Sequence, residues 1–205
     1  MEEIISKEEL GKIEKIEGEV RGAILKADVK FILQNKGKEG LEKVEREMEK
    51  IGYPFRYREV KALEFYPVKL RVLSLLAIKK VLGFSDKQVK EIGRQVPQDS
   101  FILRLSLGFL GLAREPEKLY KNATVLWKRF LTIGEFVAVE FQEKAGRGKV
   151  IDRLMDFNTH PILCIYLEGI LERFHEIARR VKKVNVKETK CIFKGDEYHE
   201  FLVEW

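Results

Sequence analysis

Two cysteines, three histidines and five prolines are few for a chain of 205 residues. Cys164 and Cys191 form no Cys-x-x-Cys pair, which excludes a disulfide framework and the usual zinc-finger spacings. No Gly-x-x-x-x-Gly-Lys-Ser/Thr loop is present to cradle phosphates, and no Gly-x-Gly-x-x-Gly follows a strand. Gly-x-Ser-x-Gly and His-Glu-x-x-His are missing as well, so the familiar signs of a serine hydrolase or zinc protease are not there. Apolar runs such as Val72–Ile78 are too short to span a bilayer. Glu2 and Glu3 follow Met1, leaving no basic start for a secretory signal. A soluble cytoplasmic protein without a membrane span is expected.

What is present suffices for a packed core, with 45% hydrophobic and 35% charged residues. The net charge of +6 sits in the middle of the chain. Residues 51–130 carry 16 basic and 7 acidic side chains, while both flanks are close to neutral. Solvated helix faces account for such a stretch, and nucleic acid is not expected as a partner. Lys, Glu and Arg are abundant and Asn and Gln scarce, a balance typical of thermophilic proteins.

Ser6-Lys7-Glu8-Glu9 is a capping box, and Leu10, Ile13 and Ile16 follow at helical spacing, predicting a helix over about Lys7–Glu17. An extended Glu19-Val20-Arg21 leads into two helices, one ending near Gly37 and one near Gly52. Residues 53–66 read as an aromatic connector. Pro67 opens an apolar helix to Leu82, which should be central. Ser85-Asp86-Lys87-Gln88 caps a helix that should stop before Pro97. Helices over Phe101–Leu112 and Pro116–Leu131 complete this part. After Gly134 the pattern changes to two strands around Lys144–Gly148, a helix over Pro161–Val181, and strands over about Val184–Phe193 and Tyr198–Trp205. The fold class expected is α+β: an N-terminal helical bundle packed on an antiparallel sheet, with a β-β-α-β-β C-terminal half. One unit over residues 1–205 is expected, helical over 1–133 and mixed over 134–205.

Chemistry-bearing residues concentrate late in the chain. His160 and Cys164 are four apart on one helix face if the helix starts that early. Two turns are open for the last hairpin. A two-residue turn at Gly195-Asp196 pairs Ile192 with His199; a three-residue turn pairs Phe193 with His199 and puts Cys191 on their face. The alternation of His199, Phe201, Val203 and Trp205 favours the second. Cys164, Cys191, His199 and one more histidine could then hold zinc. Satisfied, buried Cys and His residues are the simpler reading. A second candidate is a small-molecule pocket among the apolar helices, at Leu105, Gly108, Phe109, Tyr120 and Trp127; helical glycines such as Gly108 can leave room for a ligand.

Ile165-Tyr166-Leu167-Glu168-Gly169-Ile170-Leu171-Glu172, followed by Glu188-Thr189-Lys190-Cys191-x-x-x-Gly195-Asp196-x-x-His199-x-Phe201, resembles the 4-vinyl-reductase domain family. That family groups with haem–nitric-oxide-binding domains and Bet3-like transport subunits. The resemblance covers about the last 70 residues, with a looser match in the helical front end. It implies an α+β ligand-binding fold, sensory or regulatory, often dimeric. The haem branch uses a histidine on the helix before the sheet and a Tyr-x-Ser-x-Arg element. Leu119–Trp127 has no histidine, and Val150–Leu154 no such triplet. The expectation is therefore a non-enzymatic regulatory domain with a small apolar ligand as partner, a homodimer, and no cofactor, haem being absent and zinc open. A transport-type scaffold with a filled interior and a zinc-containing regulatory domain are the alternatives.

Overall fold

The computed structural model describes residues 5–99 and 116–205. Helix α1 (Lys7–Glu14) starts where Ser6 Oγ accepts the Glu9 N–H at 3.1 Å. Strands β1 (Glu19–Arg21) and β2 (Phe65–Pro67) pair antiparallel as a small two-stranded sheet. The aromatic pattern of residues 53–66 predicts a connector where the second of these lies, since three residues are too few to show alternation. Helix α2 (Gly22–Lys50) carries both predicted helices end to end, and its backbone leaves helical geometry only at Gly37, φ +64°.

Helix α3 (Val68–Val81) is central, with Val72, Leu73, Leu75, Ala77 and Ile78 buried. Helix α4 (Asp86–Asp99) runs through Pro97 instead of stopping before it. A proline so near the end forfeits one hydrogen bond of the last turn, which the packing of Val89, Ile92 and Val96 offsets. The single helix expected over Pro116–Leu131 is two short ones, α5 (Pro116–Lys121) and α6 (Ala123–Lys128). They part at Asn122, whose side-chain amide donates to the Lys118 carbonyl at 2.7 Å and competes with the helix ladder. The helix expected over Phe101–Leu112 lies outside the described residues.

The second half is antiparallel throughout, as its pattern predicts. Strands β3 (Glu135–Lys144), β4 (Arg147–Met155), β5 (Asn185–Lys190) and β6 (His199–Glu204) lie in the order β3-β4-β6-β5. Ala145 and Gly146, at φ +51° and +77°, form the two-residue turn between β3 and β4. Neither turn considered for the last hairpin is formed. β5 ends at Lys190, paired with Glu200, and His199 faces Leu154 of β4 instead. A short 3-10 turn, Ile192–Lys194, takes Phe193 out of the strand.

Helix α7 (Pro161–Arg179) ties the halves together. It crosses α4 where Gly169 meets the Lys90 carbonyl and Gly93 meets the Tyr166 carbonyl; a Cβ at either glycine would overlap backbone. Lys90 and Arg94 flank the crossing with ion pairs to Glu168, Glu172 and Glu176. Deeper in the helical half, Arg71 and Asp28 form a fully buried ion pair beneath Tyr57 and Tyr166.

Candidate functional site

Two features lie along α7, one near each end. Near its start, Cys164 Sγ stands 3.9 Å from Cys191 Sγ and 3.7 Å from His199 Nδ1. His199 Nδ1 is 3.0 Å from Glu188 Oε1. One donor atom from each of these four residues lies within 4.8 Å of all the others. Metal–donor bonds of about 2.0–2.3 Å in a tetrahedron place donors roughly 3.3–3.8 Å apart, so the group has the dimensions to hold a metal ion.

Local structure explains how distant residues converge. Gly195, at φ +98°, closes the turn after β5. Asp196 then accepts the Cys191 N–H at 2.8 Å and returns its own N–H to the Cys191 carbonyl at 3.2 Å. The Cys191-x-x-x-Gly195-Asp196 element is thus a clamp that fixes the Cys191 backbone. A register shift between Glu188 and Lys190 re-aims the end of β5. His199 occupies the inward row of β6 with Phe201 and Val203, all buried.

The two ring nitrogens of His199 have different partners. Nε2 faces the Phe157 carbonyl at 3.3 Å and Nδ1 faces the other three donors; with a metal bound, Nε2 would keep its proton for that carbonyl and Nδ1 would offer its lone pair. Burial pushes the Cys164 thiol well up, with Glu188 and Cys191 adding to it, and burial also raises Cys191. Burial would raise Glu188 too, but hydrogen bonds from His199, Cys191 and Cys164 outweigh it and hold that carboxyl below its usual value. Thiols this reluctant to ionise are poor free nucleophiles. A bound metal deprotonates them outright.

Cys164, Cys191 and His199 were singled out from sequence, and the structure brings them together. The fourth donor is not a further histidine. His160 instead caps α7, accepting the Ile162 N–H at 3.1 Å and meeting Glu9 at 3.2 Å. Glu188 takes that place. Its only sequence signal was its position three residues before Cys191.

Toward the other end of α7 lies a cavity of about 110 Å³. Leu167, Ile170, Leu171 and Phe174 of α7 form one wall, and α5, α6 and the sheet form the others. Of the residues predicted to line a pocket, Tyr120 and Trp127 do so. Leu105, Gly108 and Phe109 lie outside the described residues. Trp127 is held by its Nε1–H, which donates to the Ile133 carbonyl at 2.8 Å, and it stacks on Phe136 with ring centroids 5.3 Å apart. Two polar residues that sequence reading missed, Asp152 and His175, also face the cavity. The Tyr120 hydroxyl is 3.3 Å from His175 Nδ1, and Asp152 Oδ2 is 3.4 Å from His175 Nε2.

No protein-family model matches the chain, and no curated protein matches it. Solved structures do. An H-NOX protein from S. oneidensis in the Fe(II)NO ligation state aligns over 89% of this chain and 97% of its own, at 14% identity and a TM-score of 0.56. An oxygen-binding H-NOX domain related to soluble guanylate cyclases aligns over 90% and 93%, at 15% identity and 0.56. A structure from work on haem redox potential and protein-induced porphyrin distortion aligns over 90% and 98%, at 14% identity and 0.54. The fold is H-NOX-like.

The expectation of no cofactor is thereby corrected. Proteins described by their iron and haem chemistry share the fold, and the described residues include a four-donor group able to hold a metal. The cavity itself does not fit a haem in the arrangement described. At about 110 Å³ it has room for a molecule of a few heavy atoms and not for a porphyrin. The one histidine lining it among the described residues, His175, has a neighbour at each ring nitrogen. Among the described residues, no helix is long and apolar enough to cross a membrane.

Proposed function

We propose that the protein is a non-enzymatic regulatory domain that takes a small apolar molecule into the cavity beside Trp127, with a metal ion held by Cys164, Glu188, Cys191 and His199. The carrying observation is the half-open pocket itself, which is lined almost wholly by carbon. An engineered apolar cavity of about 150 Å³ takes benzene or xenon. A ligand filling this smaller space would favour one packing of α5 and α6 against the sheet, and that shift is the signal. A second copy of the chain is part of the proposal as the reader of that shift.

The metal's role is structural in this reading. Four protein donors leave no open coordination position, and two thiolates with one imidazole favour Zn²⁺. The ion would pin the β5–β6 connection to the start of α7. The clamp at Cys191-x-x-x-Gly195-Asp196 also supports the finer kinship with 4-vinyl-reductase domains, since it gives that motif a physical task.

Titration of the full chain with benzene, and xenon uptake followed by NMR, test the cavity. Saturable binding is expected, with a change in Trp127 fluorescence. Ala123 lines the cavity, so Ala123→Leu should fill it, abolish binding and stabilise the fold by about 0.5–2 kcal/mol. Absence of saturable binding, or binding indifferent to Ala123→Leu, would overturn the reading. A Soret band after haem is added would replace the small apolar ligand with haem.

A further inference from the structure

Strand β4 places Val150, Asp152 and Leu154 on its inward face, all three buried. Strand periodicity calls for an apolar residue in the middle of that row. A carboxyl group stands there instead, 1% exposed, between Ala138 of β3 and Phe201 of β6. Its Oδ2 has no hydrogen-bond partner, although it borders the cavity.

His175 does not supply one: its Nε2 is 3.4 Å from Oδ2, an ion-pair distance at which no hydrogen bond is formed. His175 is itself fixed from several sides. The Tyr120 hydroxyl reaches Nδ1, and the rings of Tyr120 and Trp205 stack on the imidazole with centroids 5.7 and 6.2 Å away. The imidazole cannot turn toward Asp152 without breaking those contacts. A buried acceptor left unpaired is costly, because it has given up water and gained nothing. A ligand that donates to Oδ2 recovers that cost on binding.

Resting on the cavity reading above, we infer that the ligand has an apolar body with a single hydrogen-bond donor, a hydroxyl or amine, which it gives to Asp152 Oδ2. The remaining wall selects the body by shape. The carboxyl oxygen selects against pure hydrocarbons of the same size. A site built to pair with a hydroxyl discriminates against the analogue lacking it far better than an apolar wall discriminates by size, because the unpaired group stays unpaired.

Cyclopentanol and methylcyclopentane have the same ring and the same number of heavy atoms, and differ in hydroxyl against methyl. Their affinities for the full chain, measured by NMR titration, separate the possibilities. The alcohol is expected to bind at least tenfold more tightly, although water holds it better than the hydrocarbon. Asp152→Val should reverse the order. Should that variant not fold, an intermolecular NOE from the carbinol proton to the Asp152 Hβ protons of the unaltered protein reports the same pose. If both probes bind and the hydrocarbon is the equal or tighter ligand, Asp152 is satisfied by water or His175 alone; the donor inference falls while the cavity reading stands. If neither binds, both fall.

Discussion

The two ends of α7 solve opposite problems. Around Cys164, four polar donors crowd within 4.8 Å of one another in an otherwise well-packed interior. Around Phe174, apolar walls leave a void with one unpaired acceptor at its border. The first place gathers four groups that can each give an electron pair, and a cation is its complement. The second has too little matter, and a neutral molecule is its complement. Between them lies the glycine crossing with α4, on which the placing of both ends depends.

The largest expected effect strikes both ends at once. Gly169→Val drives a branched side chain into the Lys90 backbone, so α4 and α7 must part. A loss of about 3 kcal/mol or more is expected in urea unfolding, with both zinc uptake and benzene binding lost together. Retention of the crossing's stability would show that the ends are not coupled through it.

Next comes the buried pair of the helical half. Arg71→Met leaves Asp28 buried without its partner and should cost about 3–5 kcal/mol, while adding Asp28→Leu should recover most of the loss. Neither change touches the four-donor group, so zinc content per folded molecule should be unaltered. The cost would be much smaller if water reached Asp28 in the variant.

The finest contrast lies at Cys164. Metal analysis of the purified chain should find about one zinc per molecule, and chelation should lower Tm by an amount that grows with free zinc. At about a hundred times the dissociation constant, zinc should contribute about 2.7 kcal/mol. Cys164→Ser should remove that zinc dependence and leave benzene affinity within about twofold. A fall in benzene affinity as large as the fall in zinc binding would merge the two sites into one.

Much of this architecture was legible beforehand, though unevenly. Each capping box forms one of its two bonds, Ser6 Oγ accepting the Glu9 N–H and the Ser85 N–H donating to Gln88 Oε1 at 2.9 Å. The central apolar helix and the antiparallel strands followed from residue type and period. The break at Asn122 and the continuation through Pro97 did not, because each is decided by competition between a local hydrogen bond and distant packing. At the candidate sites, Cys and His are rare enough to be noticed. Glu188 and Asp152 are not, since acidic residues are common and only burial distinguishes these two.

Sequence alone therefore indicated a run of helices followed by β-β-α-β-β, the turn at Ala145-Gly146, and which faces are apolar, for these depend on neighbours within a few residues. Tertiary structure decided that Glu188 joins Cys164, that β6 pairs His199 with Leu154 across the sheet, and that a void remains beside Trp127. Such outcomes depend on how volumes and donors from remote segments add up in one place, and no local pattern carries that sum.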